Sequence, residues 1–408
     1  MSESALAPIK VGFIGLSRHG WASYALGPSL THSPALRETF KLKAVSTTSP
    51  VSAQETATKW AEVVGHAIEP YHTGDETRTI ARDPKLDMVL VAVNTMRQKS
   101  ALLPVIEAGK DFFVEWPAGC GIAETLEITV AAKKHGVRTM VGLQGRESFV
   151  IRKVGVESLA RNCFTHDDIQ VKDLIKGGAI GKVLSTSIVA TFPLEAGFWA
   201  PETNQDRKYI LDRENDLTLL TVPMAHQLET LTHILGPFTS VSATGATHYP
   251  ISTIVSAPGV PVPGEAPRPS IFPDHISIAG TLASGILANV VWRSGMKTVP
   301  GRRTLLWEID GEEGSIRMES FNAMGAFMAT FEDPDLYLNG EKVEVEGVEQ
   351  GAIGRLGNAW MEFAKGPEGN HATIDDAVKL KVLLNTIAKA METGERLQVD
   401  TQGLLPYK

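Results

Sequence analysis

Cysteine is nearly absent from this chain: Cys120 and Cys163 are the only two in 408 residues. That is too few for a disulfide framework, and it points to a reducing compartment. A basic excess is missing as well, with 39 Lys and Arg against 47 Asp and Glu, a net charge of -8. Without it there is little to release counterions from a phosphate backbone, so direct nucleic-acid binding is not expected. No apolar run approaches the ~18 to 20 residues that span a bilayer. The start, MSESALAPIK, carries neither the basic nor the apolar region of a signal peptide. The expectation is a cytoplasmic protein with no membrane partner. What the chain does have is apolar material, 43% of its residues, enough for two ordinary cores.

The first third alternates short β-rich runs with helical periods. IKVGFIGL, FKLKAVS, LDMVLVAV, DFFVEW and RTMVGLQ read as strands apolar on both faces, as in a buried parallel sheet. Between them, Lys99 to Ala108 and Ile122 to His135 have helical spacing and end at Gly109 and Gly136. This predicts a doubly wound α/β Rossmann domain over residues 1–145. From 146 to 408 the pattern predicts an α+β domain on a large, open, mostly antiparallel sheet. Its strands are Lys182–Phe192, Thr239–His248, His275–Leu282, Ile286–Arg293, Thr304–Asp310 and Gly314–Glu319. Asn339-Gly340 is a hairpin signal, and the proline- and glycine-rich stretch Ser256–Pro273 reads as a surface excursion. Thr373–Glu392, stopped by Gly394, reads as a long amphipathic helix.

The first strand runs into Gly15-Leu16-Ser17-Arg18-His19-Gly20, the spacing of the dinucleotide fingerprint with serine at the second glycine position. The first position needs a tight turn, the second close approach to a pyrophosphate, the third helix packing. An ordinary strand-to-helix turn remains the alternative. The second strand ends in Ser46-Thr47-Thr48-Ser49, where NAD sites usually place a carboxylate for the ribose. Hydroxyls at Thr47 and Thr48, with Arg18 in the loop, favour NADP over NAD if they are more than a polar turn. Asn94, Glu115 and Trp116, at later strand ends, complete the candidate cofactor set.

At Phe113-Val114-Glu115-Trp116-Pro117 the sequence resembles the Gfo/Idh/MocA oxidoreductase family, whose mark is a strand-borne Glu-Lys-Pro triplet. GLQGRES (Gly142–Ser148), DLIKGGAIG (Asp173–Gly181), Pro273-Asp274-His275 and HATIDDAVKLKVLLNTI extend the resemblance over almost the whole chain. FVEW with LQGR is most like the family's fungal galactose-pathway co-repressor branch, which implies dinucleotide-binding regulators. The family's catalytic lysine, aspartate and histidine fall, by this resemblance, at Trp116, Val222 and His226. Only the histidine is kept. Tryptophan and valine cannot exchange protons, so the usual sugar-dehydrogenase mechanism does not carry over. Trp116 is then a core aromatic or, as the resemblance favours, a lid over the nicotinamide.

His226 opens a helical stretch and alone reads as structural; the resemblance raises a catalytic or ligand-binding role to an equal reading, and as the sole remaining proton carrier it would titrate near the histidine range of about pH 6 to 7. His233 shares its face, but no further ligand completes a metal set, and no metal is expected. Trp199, Arg207, Tyr209 and Arg293 are candidates for a substrate cleft, each as readily structural. Val154–Gln170 interrupts what would otherwise be one helix, as a surface loop or a retained intron. Two functions stay open: an NAD(P)-dependent oxidoreductase acting on a small molecule, or an NAD(P)-binding co-regulator with a protein partner and no turnover. A homodimer through the open sheet is expected in either case.

Overall fold

The computed structural model describes residues 7–17, 20–73, 79–148, 150–151, 171–327, 333–343 and 351–400. Arg18, Cys163 and the segment Val154–Gln170 lie outside them. The chain divides into two compact units. The first is Met1–Gln144 with Ala352–Val378 and Leu404–Lys408, the second Gly145–Gly351 with Lys379–Gly403.

The first unit is built on six parallel strands, β1 (Ile9–Ile14), β2 (Phe40–Thr47), β3 (Glu69–His72), β4 (Met88–Val91), β5 (Asp111–Val114) and β6 (Thr139–Val141), in the order β3-β2-β1-β4-β5-β6. This is the doubly wound order whose direction reverses beside β1, where such sheets bind ligands at the carboxyl ends of their strands. Val89, Leu90, Phe112, Phe113 and Val114 are fully buried, which is why these strands read as continuous apolar runs. Helices α1 (Pro50–Val64), α2 (Thr95–Glu107) and α3 (Gly121–His135) make the crossovers. Strand β3, missed in the sequence, contains Pro70 and lies at the sheet edge, where a missing N–H is tolerated.

The sequence reading placed everything after 145 in the second domain, yet Ala352–Val378 packs in the first unit. Trp360, on the helix Gly351–Ala364, sits 4.9 Å from the Phe113 ring and 6.0 Å from that of Phe40. Its indole N–H donates to Ser29 Oγ at 2.8 Å, so the buried ring keeps its polar atom satisfied.

The second unit holds a sheet of nine described strands, all antiparallel to their neighbours except one pair: Val183–Pro193 runs parallel to Leu287–Met296. Along His275–Leu282, Ile276 and Ile278 are buried while Ser277 and Ala279 are exposed. The alternation leaves one sheet face open. Asp335–Leu338 and Glu341–Val343 pair across Asn339-Gly340, both at positive φ (51° and 86°), as a two-residue primed turn requires. The excursion Ser256–Pro273 carries two short strands, Val260–Pro261 and Arg268–Pro269, which pair with Ile251–Ala257 in a small separate sheet.

Candidate functional site

Within the first unit, β1 turns at Gly15, whose φ is +91°. Its N–H donates to Ser46 O at 2.9 Å, and a Cβ there would lie 2.3 Å from the carbonyl oxygen of Ala92. The loop therefore passes between the ends of β2 and β4 through a gap that only glycine fits. Ser17 N donates to Gly15 O at 2.9 Å, tightening the turn, and the Ser17 side chain is half-buried. Gly20 departs from expectation. A Cβ on it would touch nothing, so it serves not for packing but for its φ of +93°. Its carbonyl accepts from Ser23 N and Tyr24 N at 3.1 and 3.0 Å, and a helical run from Trp21 follows. A loop of this shape ahead of a helix start presents free backbone N–H groups to an anion.

At the end of β2, Ser46 and Thr47 are buried and Thr48 is exposed. Ser49 Oγ accepts from Ser52 N at 3.2 Å and so is spent capping α1. Thr47 Oγ1 makes only a long bond, 3.4 Å, to Ser49 O. Thr48 is the hydroxyl most open to a ligand. Asn94 caps α2, its Oδ1 accepting from Met96 N at 3.1 Å, and it too is exposed.

Glu115 follows β5 directly. Its Oε2 accepts the indole N–H of Trp21 at 2.9 Å, and its Oε1 accepts from Trp116 N at 3.2 Å. A Cβ on Gly142, beyond β6, would come 2.3 Å from that Oε1, so the glycine makes room for the carboxylate. Gln98 of α2 holds the same turn: its Nε2 donates to Glu115 O at 2.9 Å, and its Oε1 accepts from Gly119 N at 2.7 Å. Burial pushes the Glu115 carboxyl up to about 7, although the N–H donors of Trp21 and Trp116 pull the other way. Trp116 itself is buried and joins Pro117 through a cis bond. Trp21 and Gln98 were not singled out in the sequence, and Gly142 entered only as the first residue of the GLQGRES motif. The available signals were a tryptophan directly after Gly20 and a glutamine on the apolar face of α2, beside Leu102, Val105 and Ile106.

The second unit places His226 at the start of the helix Ala225–Leu235, 5% exposed, with its ring 5.2 Å from that of Phe327. Its Nδ1 has no hydrogen-bond partner among the described residues. Burial alone pushes its pKa down to about 3, which replaces the ionisation near pH 6 to 7 expected of a free histidine. The imidazole is neutral throughout the physiological range. One turn along, Glu229 is buried against Arg146 of the LQGR segment, whose Nε donates to Glu229 Oε1 at 2.9 Å. Val222 is half-buried and offers no charge.

Three of the four cleft candidates make side-chain contacts within their own unit. Trp199 donates to Leu217 O at 3.0 Å and meets Phe192 and Phe198 edge to face, and Arg207 lies over Phe198 at 4.5 Å. Tyr209 is exposed, and Arg293 donates to Thr191 Oγ1 at 3.1 Å. Among the described residues no three His, Cys, Asp or Glu come together in a way that could hold a metal ion. No described helix is long and apolar enough to cross a membrane.

Residues 9–143 match the model of the Gfo/Idh/MocA oxidoreductase family with an NAD-binding Rossmann fold, and residues 169–320 match that of the Gal80p C-terminal domain. The chain is 25% identical over 403 residues to dehydrogenase aclE of Aspergillus oryzae, covering 95% of this chain and 97% of that protein. It is 24% identical to the galactose/lactose metabolism regulatory protein GAL80 of Saccharomyces cerevisiae, over 77% of this chain and 67% of that protein. The fold is similar to a Gal80p crystal structure from the same yeast, with a TM-score of 0.79 at 22% identity over 98% of this chain and 100% of that one. It is also similar to levoglucosan dehydrogenase in complex with NADH, with a TM-score of 0.71 at 18% identity over 96% and 99%. Glycine loop, strand order and sequence matches agree: residues 9–143 form a Rossmann domain of the Gfo/Idh/MocA type, and residues 169–320 are similar to the Gal80p C-terminal domain.

Proposed function

We propose that the chain is a nicotinamide-dinucleotide-dependent oxidoreductase acting on a small molecule. The observation that carries this reading is the passage of Gly15 between Ser46 and Ala92, a cradle that a single Cβ would fill, at the reversal point of the sheet. Gly15, Ser17, Gly20 and the following helix start would hold the pyrophosphate, with Arg18 adding charge. Thr47 and Thr48 would meet the adenosine ribose. Among the described residues no carboxylate stands there to repel a 2'-phosphate, so NADPH is bound at least as tightly as NADH. Asn94, Glu115 and Trp116 would take the nicotinamide half. A bound nicotinamide supplies or accepts hydride.

The protein's own contribution is unusual, because Trp116 and Val222 stand where the family resemblance would place a lysine and an aspartate. His226, neutral and with a buried nitrogen left unpaired among the described residues, is suited to hydrogen-bond a substrate oxygen; an unpaired polar atom in such a place is costly until a ligand meets it. Similarity to a dehydrogenase over nearly the full length supports turnover. The loss of the lysine and aspartate, together with the match to the Gal80p C-terminal domain, favours a second reading, a dinucleotide-binding regulator that engages a protein partner. Cytoplasmic action as a homodimer belongs to either reading.

Screening sugars, enones and imines with NADPH and NADH, on wild type and His226→Ala together, separates the two. Turnover that falls by roughly 100-fold or more in the variant, with dinucleotide affinity kept, supports the enzyme and the role of His226. No turnover with any substrate, but dinucleotide-dependent binding of a protein partner, supports the regulator.

A further inference from the structure

Glu115 is a carboxyl group without an ion-pair partner among the described residues, at the carboxyl end of a Rossmann strand. Its position follows from topology. In the order β3-β2-β1-β4-β5-β6 the sheet consists of two mononucleotide halves meeting at β1 and β4. The hydroxyl-bearing end of β2 belongs to the adenosine half, so the ends of β4, β5 and β6 belong to the nicotinamide half. Glu115 lies at the end of β5, with Gly142 clearing space beside its Oε1 and Trp21 holding its Oε2. A lysine in place of Trp116 would put a cation beside it; the tryptophan puts none.

We propose that Glu115 decides which oxidation state of the dinucleotide the first unit holds. As a carboxylate it favours the oxidised form, whose nicotinamide ring is cationic; as a neutral acid it favours the reduced form, whose ring is uncharged. The proposal rests on the dinucleotide reading above and adds a specificity-determining residue to it. The electrostatic reason is direct: a charge within a partly desolvated site discriminates between a cationic and a neutral ring far more than the same charge in water. Because burial holds this carboxyl near 7, the discrimination changes within the physiological range.

Among the described titratable groups on the elements packed around Glu115, Lys99 and Glu124 are engaged with one another, and Arg97 of α2 is exposed. Lys99 of α2 lies 3.3 Å from Glu124 and 3.1 Å from Glu127 of α3. Glu124 also accepts from Cys120 N at 2.9 Å. Tyr24, on the helical run after the glycine loop, is exposed. The described end of β4 brings only Val91, whose carbonyl accepts from Glu115 N at 3.1 Å, and the end of β6 brings Gly142.

The experiment is calorimetric titration of the intact protein with NAD+, NADH, NADP+ and NADPH between pH 5.5 and 8.5. It reads the ratio of dissociation constants of the oxidised and reduced forms, in which any titration of the 2'-phosphate cancels. In wild type the preference should move towards the oxidised form by roughly tenfold from pH 6 to pH 8. Glu115→Gln should hold the ratio near its acid value throughout. Trp21→Phe removes an N–H that stabilises the carboxylate, so it should shift the midpoint to higher pH, and it carries the test if Glu115→Gln fails to fold. A flat wild-type ratio, a Glu115→Gln profile like wild type, or an unmoved Trp21→Phe midpoint overturns the proposal. Binding of no dinucleotide at any pH overturns the dinucleotide reading itself, and the proposal with it.

Discussion

Arg146 and Glu229 form an ion pair inside the second unit, their side chains only 8% and 5% exposed. The pair ties the LQGR segment to the helix Ala225–Leu235, which carries His226 in its first turn. Removing one partner leaves a buried charge uncompensated, which costs about 3 to 5 kcal/mol, whereas replacing both by apolar groups is often close to neutral. We expect Arg146→Met and Glu229→Gln each to lower the melting temperature by roughly 10 °C, and the double variant Arg146→Met/Glu229→Leu to recover most of it. Single variants as stable as wild type in thermal denaturation would show that the pair is not a structural tie.

His226 makes stability depend on acid. Its folded pKa, about 3, lies below the ordinary histidine value of 6.5. Between these values the unfolded chain binds the proton and the folded chain does not, so folding stability falls as pH drops from about 6.5 towards 3. His226→Leu should flatten that slope in urea denaturation series at pH 7, 5.5 and 4.5, and its advantage over wild type should grow with acidity. Equal slopes in the two proteins would show that the imidazole reaches solvent. Glu115 acts in the opposite sense. Its carboxyl is raised from 4.5 to about 7, so the folded chain keeps a proton that the unfolded chain has lost, and this contribution falls as pH rises across that window.

The cofactor loop allows a cleaner division. Gly15→Val drives a branched side chain against the Ala92 carbonyl at a backbone φ of +91°, and should abolish dinucleotide binding in fluorescence titration. Thr48→Asp leaves the backbone alone and adds a charge at an exposed strand end. It should weaken NADPH by roughly tenfold or more while sparing NADH. Equal effects on both would remove Thr48 from the ribose end of the site.

The sequence reveals those parts of the molecule that local chemistry fixes. The buried strands β1, β2, β4 and β5 read as apolar runs because both faces are covered, and Asn339-Gly340 announces its hairpin because each residue takes a positive φ. Strand β3 does not announce itself, since Glu69-Pro70-Tyr71-His72 gains its identity only from pairing with β2. The excursion Ser256–Pro273 reads correctly as unfit for a central strand, yet it makes short edge pairings that prolines at strand ends permit. The return of Ala352–Val378 to the first unit depends on Trp360 finding Phe113 and Phe40, contacts separated by more than two hundred residues of chain. In the site, Gly15 and the Glu115 turn are legible because a backbone requirement or a family motif marks them. Trp21 and Gln98, and Gly142 although it opens a family motif, act on Glu115 through contacts between elements distant in the chain, and spacing along the chain carries no trace of that role.

The open face of the second sheet supplies the last expectation. Leu306, Val189 and Val291 lie directly side by side on three neighbouring strands, Leu306 opposite Val189 and Val189 opposite Val291, and all three are half-exposed. Alternate residues of the same strands, Trp307, Ile188 and Val290, are fully buried or nearly so on the other face. A row of aliphatic side chains at the centre of an open sheet loses hydrophobic stabilisation while it faces water, and pairing with a second copy about a two-fold axis would cover it. Light scattering at micromolar concentration should therefore give twice the chain mass. Val189→Lys, placed in the middle of the row, should give the monomer mass without disturbing the buried face, since side chains alternate across the sheet. Far-ultraviolet circular dichroism should be unchanged, which separates loss of pairing from loss of folding. A wild-type monomer, or a Val189→Lys dimer with wild-type stability, would move the association surface elsewhere or remove it.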